Sequence, residues 1–172
     1  KDVSDFYVLF GVKEVPISAL IPNKKYFFFS HTIKKQPYNR KLLLAILEKK
    51  IELYDHETII KENGARLIGF GRYAGIVGAY NGFRAIGLTT GSFILPKAEV
   101  LDNQQELIAE LDKIKLPKGF KILLTGNGKV AYGAKEMLDA MKIRQVSVEE
   151  YLHQNFIEPV FCFLDVLDYN KR

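Results

Sequence analysis

One stretch of the sequence places a histidine at the end of an apolar run. In "KKYFFFSHTIKKQ", His31 follows three phenylalanines and precedes Lys34 and Lys35. A histidine titrates near neutrality without help, so it is well suited to take up and release a proton. The first polar residues beyond a buried strand face whatever fills the adjacent cleft. The placement predicts acid–base chemistry at His31, and a structural histidine at a strand end is the competing interpretation.

A second stretch, "GFKILLTGNGKVAYGAKEMLDAM", predicts an apolar strand, a glycine-rich turn and a helix in direct succession. Gly126 permits a tight turn, Gly128 lets a pyrophosphate approach the backbone, and Ala131 keeps the strand and the helix close. The N-terminus of the following helix attracts phosphates. This pattern predicts a dinucleotide site, although the spacing alone also fits an ordinary strand-to-helix turn.

A dinucleotide site of this kind also uses an acidic residue about 20 positions after the turn, which holds the ribose hydroxyls. Glu149 and Glu150 follow the predicted strand "IRQVSV" at about that distance. No acid stands directly at the end of that strand, so the choice between NAD and NADP stays open.

The elements that must position these residues alternate between strand and helix. "DFYVLFGVKEVP" and "KKYFFFSHT" are short apolar runs typical of strands that are covered on both faces, and "IELYD" predicts a further strand. "YNRKLLLAILEKK" predicts a helix capped by Asn39 that buries Leu43, Ile46 and Leu47. The order strand, helix, strand predicts an α/β fold with parallel strands.

The middle of the chain contains a turn and two predicted helices. "KENGARLIGFG" predicts a turn at Asn63-Gly64 that leads into a strand from Arg66 to Phe70. In "GRYAGIVGAYNGFRAIG", glycines recur at near-helical spacing, which predicts a helix packed closely against a neighbour. "LDNQQELIAELDKIKLPKG" predicts a capped amphipathic helix, and "EPVFCFLDVLDYNKR" offers one more strand.

Composition excludes several classes of function. The 172 residues are 48% hydrophobic and 26% charged, which is ordinary for a globular protein. A single cysteine allows neither an internal disulfide nor a thiolate zinc site, and we expect a cytoplasmic, reducing compartment. No run is long enough to cross a membrane. The net charge of +5 is scattered, so we expect no nucleic-acid partner. Three separated histidines predict no metal site.

Four segments together resemble one known family. They are "GVKEVP", "FFFSHTIKKQPYN", "RLIGFGRYAGIVGAYNG" and "LLTGNGKVAYGAKEML". They look like the lysine-forming saccharopine dehydrogenase and lysine-ketoglutarate reductase branch of the alanine dehydrogenase and transhydrogenase superfamily. The resemblance implies two Rossmann-like parallel-sheet lobes, each incomplete in this chain, and a nicotinamide cofactor, NAD or NADP. It also implies that the chain is a middle portion of a longer protein.

The resemblance assigns roles to individual residues. Lys13 and His31 match the catalytic lysine and the acid–base histidine. The residues that match substrate-binding positions are Lys34, Gln36 and Phe70. The residues that match or neighbour cofactor-binding positions are Arg66, Gly126, Gly128, Lys129, Val130 and, beyond the usual place of the ribose acid, Glu149.

The implied chemistry needs two titrating groups. Oxidation of a secondary amine to an imine requires an unprotonated nitrogen, and hydrolysis of the imine then requires proton delivery. By analogy, Lys13 takes the amine proton, which requires burial or a nearby cation such as Lys34 to lower its pKa. His31 then protonates the departing amine. In alanine dehydrogenases a lysine at this place instead holds the substrate carboxylate, and the sequence leaves both roles open.

These inferences together define the expected organisation and function. We predict part of a substrate domain over 1–72, an interdomain helix and linker over 73–101, and the first part of a dinucleotide-binding domain over 102–172. The expected function is hydride transfer between a nicotinamide cofactor and saccharopine. Alanine deamination and a non-catalytic dinucleotide-binding fragment are the alternatives. The expected partner is an amino-acid substrate, and the oligomeric state is left open.

Overall fold

The computed structural model describes residues 2–170, and these residues form two compact units. One unit ends at Gly69, and the other begins at Phe70. Each unit is built around a three-stranded sheet in which every neighbouring pair of strands is parallel. The predicted α/β class is therefore confirmed.

The first unit contains the strands β1 (Val8–Lys13), β2 (Lys25–Phe29) and β3 (Glu52–Asp55), in the spatial order β1-β2-β3. The helix α1 (Arg40–Glu48) connects β2 to β3. Two short 3-10 turns, Thr32–Lys34 and Pro37–Asn39, lie between β2 and α1. The three predicted strands and the predicted helix are confirmed.

The face that α1 buries differs from the predicted one. Leu42, Ala45 and Ile46 are buried against the sheet, whereas Leu43 and Leu47 are exposed. Only Ile46 belongs to both sets, because the helix meets the sheet with a face rotated by one residue from the one chosen by periodicity. The side chain of Asn39 also makes no capping bond to α1.

The second face of this sheet carries a ladder of aromatic rings. Phe10, Phe27 and Tyr54 lie in register on the three strands, and their rings stack at centroid distances of 4.4 and 4.5 Å. Phe10 and Tyr54 remain exposed. The expectation that β1 and β2 are covered on both faces is therefore wrong for the part of the chain that the structure describes.

The predicted strand from Arg66 to Phe70 is also wrong. The turn at Asn63-Gly64 forms, with Gly64 at a φ of 78°, but it leads only to a single antiparallel bridge between Ile60 and Arg66. A helix then begins at Gly71. One bridge is too short a pairing to sustain a hairpin by itself.

The second unit begins with α2 (Gly71–Thr90) and α3 (Gln104–Glu110). The elements that follow are β4 (Lys121–Thr125), α4 (Lys129–Ala140), β5 (Arg144–Val146), α5 (Val148–His153), β6 (Val160–Leu164) and α6 (Val166–Tyr169). The predicted strand–turn–helix and the one further strand are confirmed. The predicted cap of α3 is present, because the side chain of Asn103 accepts a hydrogen bond from the Glu106 amide.

The strand order of the second sheet is β4-β6-β5, so the last strand lies in the middle. β6 pairs with β4 along its full length, from Val160 opposite Lys121 to Leu164 opposite Thr125. The strand β5 pairs only with β6. The residues that follow β6 therefore lie one strand from the glycine turn, and those that follow β5 lie two strands away, about 10 Å.

Close packing between α2 and α4 explains the glycine at position 75 of α2. A Cβ added to Gly75 would lie 1.9 Å from the Val130 carbonyl oxygen, and one added to Gly133 would lie 2.0 Å from the Arg72 carbonyl oxygen. Only glycine at these two positions allows the helix backbones to approach this closely. The Arg72 guanidinium also donates two hydrogen bonds to Glu136, at 2.7 and 2.6 Å. The predicted close packing is confirmed.

Within residues 2–170, no helix combines the length and the apolar character that crossing a lipid bilayer requires.

Candidate active site

His31 lies two residues beyond the carboxyl end of β2, and its side chain is 25% exposed. Its backbone is left-handed, with a φ of 57°, which is uncommon for a residue other than glycine. The ring Nδ1 lies 3.0 Å from Oε2 of Glu57. The ring Nε2 has no partner among residues 2–170. Because the Nδ1 contact orients the ring, Nε2 remains available to exchange a proton with a ligand.

Glu57 is the charged centre of this region. Its side chain is only 1% exposed, and it follows β3 by two residues. Besides His31, it faces the Lys34 amine at 3.6 Å and the Arg66 guanidinium at 3.4 Å, both from Oε1. That buried oxygen makes no hydrogen bond within the described part of the chain. Such cations stabilise a buried carboxylate. The side chains of His31, Lys34, Glu57 and Arg66 therefore form one cluster of charged groups.

A second buried carboxylate, Asp55, fixes the backbone on which His31 and Glu57 stand. Its Oδ1 accepts a hydrogen bond from the Glu57 amide at 2.9 Å and a longer one from the Ser30 amide at 3.4 Å. Its Oδ2 accepts a hydrogen bond from the Ser30 hydroxyl. Because Asp55 ends β3 and Ser30 follows β2, these bonds hold the ends of the two strands together.

Lys13 is the last residue of β1 and lies opposite Phe29, the last residue of β2. The parallel sheet therefore brings Lys13 and His31 to the same edge, as the sequence predicts. The side chain of Lys13 is exposed, and its amine has no hydrogen-bond or ion-pair partner among residues 2–170. Burial inside the first unit therefore does not desolvate its amine, and its catalytic role stays a prediction.

The other residues with predicted substrate roles lie in different places. Lys34 contacts Glu57, as described above. Gln36 is exposed, and its Oε1 accepts a hydrogen bond from the Tyr38 hydroxyl at 2.5 Å. Phe70 is partly exposed and forms the N-cap of α2, at the start of the second unit. Arg66, predicted to bind the cofactor, lies in the first unit beside Glu57.

The glycine turn has the geometry that a phosphate group requires. Gly126 has a φ of 107°, which favours glycine, and a Cβ added to Gly128 would find no atom within 4 Å. Gly128 is the N-cap of α4, and no side chain caps the first turn of that helix, which contains Lys129 and Val130. Both side chains are exposed. The open backbone, the uncapped amides and the lysine fit a pyrophosphate.

The two acids that follow β5, Glu149 and Glu150, already have structural partners. Glu150 forms a capping box with Ser147, and hydrogen bonds from the Ser147 amide and hydroxyl lower its pKa. Glu149 is exposed and lies 3.6 Å from Nε2 of His153. It follows β5, the strand farther from β4. Because β6 lies between β4 and β5, Glu149 is one strand farther from the glycine turn than it would be if β5 were the neighbour of β4.

Asp165 is closer to the turn. It directly follows β6, the neighbour of β4, and a cavity of about 220 Å³ is lined by Gly126, Asn127, Asp165 and Asp168. Asp165 is also the N-cap of α6. Its side chain accepts a 3.3 Å hydrogen bond from the Leu167 amide and forms a capping box with Asp168, whose side chain accepts a hydrogen bond from the Asp165 amide. A carboxylate has about four acceptor sites, so lone pairs remain for a ligand hydroxyl.

The sequence reasoning missed both Glu57 and Asp165. Each follows an apolar strand, in "IELYDHE" and "VFCFLD", and an acid after a strand is a readable signal. What could not be read was the partner, because Glu57 meets a histidine 26 residues earlier. Asp165 approaches the turn only because β6 inserts beside β4.

The fold defines a class of α/β protein in which a glycine-rich turn joins a parallel strand to a helix. Among solved structures, an L-alanine dehydrogenase matches with a TM-score of 0.52 and 16% sequence identity, over 92% of this chain and 43% of that one. This likeness shows the fold. A comparison with models of known protein families finds no match.

The chain is a homologue of the α-aminoadipic semialdehyde synthases and the lysine-forming saccharopine dehydrogenases. It is 32% identical to the mitochondrial α-aminoadipic semialdehyde synthase of Bos taurus, over 87% of this chain and 18% of that protein. It is 31% identical to the synthase of Arabidopsis thaliana, over 92% of this chain and 15% of that protein. It is 31% identical to the NAD⁺, L-lysine-forming saccharopine dehydrogenase of Candida albicans, over 70% of this chain and 34% of that protein. The chain thus spans between about a seventh and a third of the length of these relatives.

Proposed function

We propose that this chain is a segment of an amino-acid dehydrogenase that transfers a hydride between a nicotinamide cofactor and saccharopine. The observation that carries the proposal is the pairing of His31 with the buried Glu57 at the carboxyl edge of a parallel sheet. An oriented histidine with one free ring nitrogen is the arrangement that acid–base catalysis requires. The fungal homologue, whose name is NAD⁺, L-lysine-forming saccharopine dehydrogenase, supports it.

In this proposal, Lys13 and His31 divide the proton transfers. The Nζ atom of Lys13 takes the proton from the secondary amine of saccharopine, and the oxidised substrate is an imine. Water adds to the imine carbon, and Nε2 of His31 donates a proton to the nitrogen that departs as the amine of lysine. The carbon side leaves as 2-oxoglutarate. When His31 becomes cationic, Glu57 stabilises it across the 3.0 Å contact.

The bound nicotinamide supplies the hydride acceptor. The glycine turn fits its pyrophosphate because the space at Gly128 is open and the first turn of α4 is uncapped. The side chain of Lys129 adds a positive charge at the same place. Arg66 is not part of the turn, because its guanidinium faces Glu57 in the first unit. Its contact with the cofactor is therefore a separate proposal.

The name of the fungal relative specifies NAD⁺, and we propose the same cofactor here. A protein carboxylate beside the ribose favours NAD over NADP, because it accepts hydrogen bonds from the ribose hydroxyls and repels the 2′-phosphate of NADP. Asp165 and Glu149 are the candidates. The Asp165→Asn variant should weaken NADH binding by about tenfold if it contacts the ribose. Glu149→Gln is the matched variant, and the acid whose loss weakens binding is the ribose ligand.

The enzymatic test uses the longest protein product that contains this chain. Dinucleotide reduction is measured with saccharopine and, separately, with alanine, in the wild type and in the Lys13→Met and His31→Gln variants. We expect turnover of saccharopine that falls by at least about a hundredfold in each variant. Absence of turnover with any amino acid, together with no effect of either variant, contradicts the proposal. Turnover of alanine instead would assign the alternative reaction.

The cellular compartment also remains a proposal. The single cysteine, Cys162, is buried, and burial raises the pKa of its thiol, so it is poorly suited to oxidation. This is compatible with a reducing compartment such as the cytoplasm. The animal relatives carry "mitochondrial" in their names. Imaging of the tagged full-length protein distinguishes the two locations.

A further inference from the structure

We propose that a cavity beside His31 is a carboxylate subsite in which Arg40 and Lys35 bind the distal carboxylate of a dicarboxylic substrate. The cavity has a volume of about 370 Å³ and lies between the two 3-10 turns and the start of α1. One of its lining residues is Thr32, which directly follows His31 in the chain. The Asn39 side chain, on its wall, donates a 3.2 Å hydrogen bond to the His31 carbonyl. The cavity is thus tied directly to the acid–base histidine.

The charges around the cavity favour an anion. Lys34 and Arg66 have an acidic partner in Glu57, but Lys35 and Arg40 have none within residues 2–170. Two cations on one cavity wall without a local counter-ion raise the affinity for a negative group. A guanidinium binds a carboxylate through two parallel hydrogen bonds, which makes Arg40 the stronger of the two ligands.

The neutral groups of the cavity fit the same ligand. The carbonyl oxygen of the Gln36 side chain is engaged by the Tyr38 hydroxyl, so its amide nitrogen remains as a donor. Pro37 and Leu43 contribute apolar surface. A carboxylate needs donors, and the methylene groups that carry it need apolar contacts. An aliphatic chain that ends in a carboxylate, as in glutarate or 2-oxoglutarate, satisfies both.

The backbone at Lys35 allows a test of whether its side chain serves binding or the fold. Its φ is 54°, in the left-handed region where a lysine is disfavoured and a glycine is not. Lys35 is the C-cap of the Thr32–Lys34 turn, and Lys50 and Lys142, which follow α1 and α4, have the same left-handed backbone, so the conformation follows from the end of the turn. Replacing Lys35 with glycine should therefore raise the midpoint of thermal unfolding and lower the affinity for the carboxylate. A higher unfolding midpoint together with a lower affinity would show that the lysine side chain contributes to binding and not to stability.

The inference rests on the proposed function only for the identity of the substrate. It explains why a dicarboxylic oxo acid would be preferred to pyruvate, the product of alanine deamination. The second carboxylate gains contacts in the cavity that a methyl group does not.

The test is a titration of the 172-residue chain, labelled with ¹⁵N, with glutarate and with acetate as probes. We expect glutarate to shift amide signals of residues 32–43 and to bind more tightly than acetate. Arg40→Ala should weaken glutarate binding by about tenfold or more. Lys41→Ala, which removes the adjacent exposed cation outside the cavity, should leave it unchanged. Equal losses in the two variants, or unchanged affinity in both Arg40→Ala and Lys35→Gly, would overturn the subsite.

Kinetics of the longer protein separate this inference from the proposed function. If amino-acid turnover is absent but glutarate still binds the cavity, the proposed function is wrong and the proposed subsite is supported. If turnover is present and Arg40→Ala leaves the KM for 2-oxoglutarate unchanged, the subsite fails and the function stands. An increase of about tenfold in that KM, with the KM for lysine unchanged, supports both.

Discussion

Substitution of Gly75 by alanine tests whether close helix packing supports the glycine turn. The added Cβ would lie 1.9 Å from the Val130 carbonyl oxygen and 2.7 Å from the Ala134 amide nitrogen. Real Cβ contacts essentially never fall below 3.0 Å, so α2 and α4 must separate by about 1.1 Å at this point. Both obstructing atoms belong to the backbone. A change of side-chain rotamer therefore cannot relieve the clash.

The magnitude follows from two opposing effects. Overpacking of this kind costs up to about 3 kcal/mol, and alanine in place of glycine in a helix interior gains up to about 1 kcal/mol. We expect Gly75→Ala to lower the free energy of unfolding by about 2 kcal/mol. Gly78 lies on the same helix, and an added Cβ there would meet no atom within 4 Å. Gly78→Ala should therefore raise the free energy of unfolding by about 0.5 to 1 kcal/mol.

Urea unfolding followed by far-UV circular dichroism measures both variants, because the sequence contains no tryptophan for fluorescence. The carbonyl of Val130 belongs to the first turn of α4, so Gly75→Ala should also weaken NADH binding in a calorimetric titration. Gly78→Ala should not. The reasoning is refuted if the two variants have equal stability, or if Gly75→Ala binds NADH as tightly as the wild type.

Two further perturbations test the polar contacts. Replacing Glu57 with leucine removes the acceptor of His31 Nδ1, so the ¹⁵N shifts of the neutral ring should move from the Nδ1-protonated form toward a mixture of tautomers. Unchanged shifts would contradict the orienting role. The hydrogen bonds from Arg72 lower the pKa of Glu136, so their stabilising effect should be complete above the ordinary glutamate pKa of 4.5 and disappear as the pH falls through the lowered value. The stability difference between the wild type and Glu136→Gln should accordingly vanish in acid, and a difference independent of pH would exclude this pair as its source.

The sequence predicts features that depend on neighbouring residues in the chain. The turn at Gly126 and Gly128 forms as expected because a strand, a glycine turn and a helix are specified by consecutive residues. The place of His31 beyond β2 follows equally from the run of phenylalanines before it. The glycines of α2 predicted close packing because glycine in a helix interior has an entropic cost. That packing occurs at Gly75, whereas an added Cβ at Gly78 would meet no atom within 4 Å.

The tertiary structure alone decided which side chains meet. Glu57 becomes the partner of His31 because β2 and β3 lie side by side, and no periodicity in the sequence indicates that pairing. The buried face of α1 depends on how the helix meets the sheet, so Leu42 is buried and Leu43 is not. The insertion of β6 beside β4 places Asp165 near the glycine turn and leaves Glu149 one strand farther away. Local patterns determine elements because hydrogen bonding and backbone preference act over a few residues, whereas the packing that juxtaposes these elements joins residues far apart in the chain.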